Sequence, residues 1–230
     1  MAAHAALAGL CPLIPIPYLD EMVIRRIWRR MFRALFDAHG LELGPAGAKL
    51  LTRQPSRLRG AAASVAWLPL RRLLRKVAYV LAIKDCADVA VAVFHDGWLM
   101  AHVLQDSQKI AGPGRSPTDP AVLKRIRKAM LRTYEEVDPA PLRRALVGSF
   151  HGARVGARHA LEAVKRALRR EPIAEEQHGD DVDALSTRMR DAAMDEWQYL
   201  EKLEQRFRHN LGLPERRGDL RESPSALSRS

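Results

Sequence analysis

Three ionisable residues lie seven positions apart in the most apolar part of the sequence, and together they could bind a metal ion. They are Asp88, His95 and His102, which share one stripe of a helix predicted within 70–104. Carboxylate and imidazole groups are common metal ligands, but seven residues span about 10.5 Å of helix, so one ion would need ligands from another helix. A buried polar network or an exposed stripe is the more frequent reason for such a pattern. The candidate residues for a polar network or a metal site are Asp85, Asp88, His95, Asp96 and His102.

The adjacent pair His95-Asp96 is similar to the His-Asp pair of all-helical metal phosphohydrolases, the HD-type enzymes. That family also uses an upstream His and a distant Asp, and the nearest upstream histidine here is His39, 56 residues away. Gly97-Trp98 stands where the family commonly has Gly-Lys. The pair His95-Asp96 nevertheless gives an alternative function, that of a metal-dependent helical hydrolase that uses the stripe of Asp88, His95 and His102.

Two segments place a row of basic residues opposite apolar ones on a predicted helix, and each segment follows a proline. Such a helix is typical of a membrane surface, where anionic headgroups attract the cations and the apolar side enters the interface. The same pattern is equally typical of a helix in a soluble bundle, which buries its apolar side and solvates its charges. The predicted anion- or membrane-binding residues are Arg25, Arg26, Arg29, Arg30 and Arg33 in the first segment and Arg71, Arg72, Arg75 and Lys76 in the second.

The overall charge also favours an anionic partner. The 230 residues include 38 Lys or Arg and 27 Asp or Glu, a net charge of +11, and 47% of them are hydrophobic, which excludes general disorder. Residues 1–170 carry +16 and residues 171–230 carry −5. Nucleic acid is a less favoured partner, because the sequence has no zinc-finger spacing and no aromatic residues interleaved with the basic rows.

The apolar periodicity predicts an all-α protein, an irregular multi-helix bundle with a long C-terminal amphipathic helix. We expect a basic bundle over 1–170, an acidic connection and C-terminal helix over 171–212, and a disordered tail over 213–230. Glycines at Gly148, Gly152 and Gly156 recur every four residues, which predicts close packing of another helix against that stripe. The predicted helices are a short one within 1–10, then 20–38, 45–52, 70–104 with a break near Lys84 or Gly97, 120–137 capped by Thr118 or Asp119, 142–169 and 182–211, with an extended linker over 11–17.

Cysteine usage and targeting signals exclude several classes of protein. Cys11 and Cys86 form no CxxC pair, so a disulfide framework and a cysteine-rich zinc site are excluded. The first ten residues carry no Lys or Arg, unlike a signal peptide. The sequence contains no run of 18 uncharged apolar residues, so a membrane-spanning helix is not expected. We expect a cytoplasmic protein, with peripheral attachment at the inner membrane under the membrane hypothesis.

The segment Pro15-Ile16-Pro17-Tyr18-Leu19-Asp20, followed by an amphipathic helix that ends at His39-Gly40-Leu41, resembles the start of EcsC-like and YcjF-type helical domains. The resemblance covers about 30 of the 230 residues, and His39 stands where those families commonly have an aromatic residue. It implies an all-helical, often membrane-associated bacterial protein without established catalysis.

The sequence thus predicts a non-enzymatic helical protein that associates peripherally with an anionic membrane or an acidic protein through its basic helices. No cofactor is expected. A homo-oligomer formed through the C-terminal helix is a further expectation.

Overall fold

A computed structural model describes residues 1–13, 19–52, 75–151 and 180–214, and these residues form an all-α bundle with no strand. The fold class predicted from the sequence is therefore confirmed. The helices are α1 (Ala2–Leu10), α2 (Leu19–Ala38), α3 (Pro45–Leu51), α4 (Arg75–Gln105), α5 (Ser107–Ala111), α6 (Pro120–Glu136), α7 (Ala140–His151), α8 (Asp180–Asp195) and α9 (Trp197–Leu211).

Helix α4 lies at the centre, where it packs against α1, α2 and α7. Alanine and glycine in α1 allow its backbone to approach α4 closely: a Cβ added at Gly9 would lie 2.9 Å from the Cβ of Ala90 and 3.0 Å from the Cys86 carbonyl oxygen. Within the described residues, Lys84–Gln105 of α4 has the length and mean hydropathy (1.2) of a membrane-spanning helix. Because 83% of this apolar window is buried inside the bundle, the same segment also has the character of a core helix.

The outer helices α2 and α6 are amphipathic and contribute one side each to the core. Asp119 caps α6 by accepting a hydrogen bond from the Ala121 N–H at 2.8 Å, and Pro120 occupies the first helical position, as predicted. Short α3 packs against both α2 and α6.

Several predicted boundaries are wrong. Helix α4 is continuous through Lys84 and Gly97, because Gly97 is buried against Met1 and Met31 and the neighbouring helices stabilise the turn there. Cys11–Leu13 is a short 3-10 helix rather than the start of an extended linker. Helix α5, between α4 and the glycine-rich loop, was not predicted.

The predicted single C-terminal helix is two helices, α8 and α9, separated at Glu196. The Glu196 N–H donates to the Ala193 carbonyl at 3.2 Å, a tightened turn that redirects the chain. As a result α8 packs against α1 and α7, whereas α9 packs against α6. Both helices contribute apolar residues, from Val182 to Leu211, to the same core as the rest of the bundle.

The predicted packing role of Gly148 is also wrong. Gly148 is exposed on α7, and a Cβ built there meets no described atom within 4 Å. Gly152 and Gly156 lie outside the described residues. The close glycine contacts in the described core are instead at Gly9, Gly47 and Gly97, each of which faces a neighbouring helix or side chain.

Candidate functional site: a buried polar network and an arginine face

The polar residues of α4 form the centre of a buried network with α6 and α9. Asp96 is 1% exposed, and both of its carboxylate oxygens accept hydrogen bonds from Arg127 Nη1 of α6 at 3.0 Å. The Tyr134 hydroxyl donates to the same carboxylate at 2.5 Å. Burial raises the pKa of Asp96, while Arg127, Tyr134 and Trp28 of α2 act in the opposite direction. The hydrogen bonds of this cluster therefore tie α6 to the carboxylate of α4.

His95 lies between two tyrosine rings and is held neutral. The Tyr199 hydroxyl is hydrogen-bonded to His95 Nε2 at 3.0 Å, and the ring centroids of Tyr134 and Tyr199 each lie 5.7 Å from that of the imidazole. Complete burial lowers the pKa of His95 to about 3. Burial also raises the pKa of Tyr199. A neutral imidazole hydrogen-bonded to a neutral phenol suits an apolar environment, because neither group brings a charge into it.

Two turns along α4, His102 makes a different kind of contact. Its Nδ1–H donates to the Trp98 carbonyl at 2.8 Å, and its Nε2 lies 3.2 Å from Glu204 Oε2 of α9. Glu204 is 1% exposed, and its oxygens accept no hydrogen bond within the described residues. The imidazole of His102 is therefore the polar group that the described residues place beside this buried carboxylate, and the contact joins α4 to α9.

Ion pairs flank the network on either side along α4. Directly after the C-terminal end of α4, Arg208 of α9 donates to Asp106 at 2.6 Å, and hydrogen bonds from Arg208 and Lys109 outweigh burial and lower the pKa of Asp106. Near the middle of α4, Asp88 pairs with Arg143 of α7 at 2.5 Å. Asp85 is partly buried on the same helix.

The predicted stripe therefore does not converge on one point: Asp88, His95 and His102 contact α7, α9 and α9 at separate positions. In the described part of the chain, no three His, Cys, Asp or Glu side chains are grouped so that they could hold a metal ion. The network joins helices: Asp96 is fully hydrogen-bonded within it, whereas neither oxygen of Glu204 accepts a hydrogen bond from the described residues.

The five arginines of α2 form the arginine face, defined as Arg25, Arg26, Arg29, Arg30 and Arg33. Arg25 and Arg33 are exposed and the other three are partly buried. Partial burial, and to a lesser extent the neighbouring charges of Arg26 and Arg33, lower the pKa of Arg30. The apolar side of α2 is buried in the core, with Ile27 at 2% and Trp28 at 1% exposure. It is therefore not available to enter a membrane interface, and that part of the sequence-based mechanism is wrong.

The second predicted basic row cannot be placed in the same way. Arg71 and Arg72 lie outside the described residues, and only the helical backbone of Arg75 and Lys76 is described. Helix α6 presents a further set of exposed cations that the sequence analysis did not single out, namely Lys124, Arg125, Lys128 and Arg132.

Sequence reasoning missed the partners of the α4 residues, although a signal was present. Arg127 lies on the apolar side of α6, between Leu123 and Met130, and Glu204 lies on the apolar side of α9, between Leu200 and Phe207. A charge at a core-facing position of an amphipathic helix predicts a buried polar partner. The pattern does not tell which helix supplies that partner.

Comparisons with protein-family models, with curated proteins and with solved structures find no match for this chain.

Proposed function

We propose that this protein is a non-enzymatic binding protein that attaches peripherally to an anionic surface through the arginine face of α2. The observation that carries the proposal is the crowding of five like charges on the outward side of a helix whose opposite side is fixed in the core. Bringing an anion to such a cluster relieves the repulsion between the guanidinium groups, and guanidinium binds phosphate or carboxylate through paired hydrogen bonds.

The rest of the bundle supports this proposal by holding α2 in one orientation. Ile27, Trp28 and Met31 are at most 2% exposed, and Trp28 also acts on the buried Asp96. The helix thus presents its cations without a conformational change, which lowers the entropic cost of binding.

A pair of matched variants tests the proposal. Arg25→Gln/Arg33→Gln removes two exposed cations from the arginine face, and Lys124→Gln/Lys128→Gln removes two exposed cations from α6. We expect the α2 variant to elute from a heparin column at clearly lower salt and to bind phosphatidylserine-containing vesicles more weakly by about 1 kcal/mol per residue.

The α6 variant should retain most of the binding in both assays. Both variants should keep the unfolding free energy of the parent to within about 0.5 kcal/mol, because the substituted side chains are exposed. Equal losses in the two variants would indicate a response to net charge alone and would contradict a specific role for α2.

A further inference from the structure

The arginine face surrounds an exposed apolar side chain. Met22, in the first turn of α2, is 54% exposed, although Val23, Ile24 and Ile27, which follow it on the helix, are at most 5% exposed. Arg25 and Arg26 follow Met22 by three and four residues and Arg29 by seven, so all three lie on the same side of the helix as Met22. Asp20 and Glu21 precede Met22 directly in the sequence, at helical positions away from that of Met22. A thioether chain is thus displayed on the side of α2 that carries the cations.

We propose that the anionic surface bound by the arginine face is a phospholipid bilayer and that Met22 inserts into it between the headgroups. This inference rests on the proposed function above and names its partner. A bilayer presents a layer of anionic phosphates directly over hydrocarbon, so guanidinium groups bind the phosphates while an adjacent apolar side chain reaches the acyl chains. The phosphate backbone of a nucleic acid has no such apolar layer beneath it. Methionine suits insertion because its side chain is unbranched, flexible and apolar.

A second exposed methionine provides an internal contrast. Met194 of α8 is 36% exposed, and with Met22 it completes the set of large apolar side chains that are exposed in the described residues. Exposed Asp191 and Asp195 lie one turn before it and next to it, and exposed Arg190, also one turn before it, offsets one of these two charges. The exposed charges around Met194 are therefore net negative, and an anionic leaflet repels them. Met194 is therefore a matched control for Met22.

The test uses the full chain with a fluorescent label at one position. Cys11 and Cys86 are 0% and 1% exposed, and burial raises the pKa of the Cys86 thiol to about 12, so a maleimide dye reacts with an introduced surface thiol in preference. An environment-sensitive NBD dye is attached to Met22→Cys or to Met194→Cys. We expect vesicles of phosphatidylcholine with phosphatidylserine to shift the emission of the dye at 22 to the blue and to increase its intensity, and to leave the dye at 194 unchanged. Heparin should change neither.

Serine variants measure the contribution of insertion without a dye. Met22→Ser should lower the partition coefficient onto the same vesicles about 5-fold and leave the retention on heparin unchanged, while Met194→Ser should change neither.

The outcomes separate the two proposals. If the parent binds the vesicles but the dye at 22 does not respond and Met22→Ser binds equally well, insertion is wrong and the arginine face stands. If the parent binds heparin or an acidic protein but not the vesicles, the bilayer is not the partner. If Arg25→Gln/Arg33→Gln binds both probes as the parent does, the proposed function itself is overturned.

Discussion

Helices α2 and α6 are both amphipathic and rich in arginine, yet one arginine of α6 lies in an environment opposite to that of the others. Arg33 of α2 is exposed, whereas Arg127 of α6 is 6% exposed and hydrogen-bonded to both oxygens of Asp96. The difference comes from one position: Arg127 falls on the apolar side of its helix. An arginine on the polar side leaves its charge available to a partner, and one on the apolar side requires a carboxylate from inside the protein.

The largest effect should follow from removing the buried partner. Arg127→Met leaves the Asp96 carboxylate in the core without its cation, and we expect a loss of about 3–5 kcal/mol in the free energy of unfolding. Urea denaturation measures it, and Lys128→Met, exposed on the same helix, is the control, with an expected change within about 0.5 kcal/mol. A loss below about 1 kcal/mol in Arg127→Met would contradict the distinction between interior and surface cations.

A smaller effect is expected at the contact between His102 and Glu204. His102→Phe removes the imidazole that lies 3.2 Å from the buried Glu204 carboxylate, which should cost about 2–3 kcal/mol. The double variant His102→Phe/Glu204→Leu should recover most of this loss, because neither polar group then remains buried.

His39 supplies the control for that experiment. Its Nδ1–H donates to the Leu35 carbonyl at 2.9 Å, the same local bond that His102 makes with Trp98, but His39 is exposed. His39→Phe should therefore change the unfolding free energy by less than about 0.5 kcal/mol. If it costs as much as His102→Phe, the local bond rather than Glu204 explains the effect.

The smallest effect expected is a gradual loss of unfolding free energy in acid, which arises from His95. The pKa of His95 is lowered from 6.5 to about 3 by burial, so below pH 6.5 the unfolded chain takes up a proton that the folded chain does not. The contribution of His95 to the free energy of unfolding is therefore complete above pH 6.5. It is lost as the pH falls towards 3, by up to ~1.4 kcal/mol per pH unit. Asp96 and the tyrosines Tyr134 and Tyr199 surround the ring, and none of them supplies a free carboxylate to an imidazolium.

Comparison with His95→Gln isolates this contribution, because glutamine retains an acceptor for the Tyr199 hydroxyl but does not titrate. Urea denaturation of both proteins between pH 4 and 7 should show a steeper acid loss in the parent. Parallel curves would mean that folded His95 accepts a proton as readily as the unfolded chain.

Helix ends that are marked by residues in the local sequence could be predicted, whereas helix ends that depend on packing could not. Gly40 and the Asp119-Pro120 pair mark ends of α2 and α6 in the local sequence, and those bounds were predicted to within a residue or two. The break at Glu196 could not be predicted, because no proline or glycine stands beside it in the sequence. The break follows from the separate packing of α8 and α9. The exposure of Gly148 likewise depends on which helices are neighbours.

The candidate sites also divide into features of one helix, which could be predicted, and contacts between distant helices, which could not. The sequence predicts that the five arginines of α2 share one side of the helix, since the spacing of charges on one helix is a local property, and their role as a binding site stays a prediction. The partners of Asp96, His95 and His102 come from α6 and α9, which are up to 104 residues distant in sequence, and no periodicity identifies them.

The sequence by itself therefore determined that the protein is all-helical, where most helices begin and end, and that one side of α2 is cationic. Periodicity and capping act within a few residues, so they can be read along the chain. Only the tertiary structure decided that the apolar side of α2 is enclosed in the core, that Arg127 and Glu204 are internal, and that Met22 is left outside. These properties depend on which helix covers which, and that is settled by packing the whole set of apolar surfaces into one core.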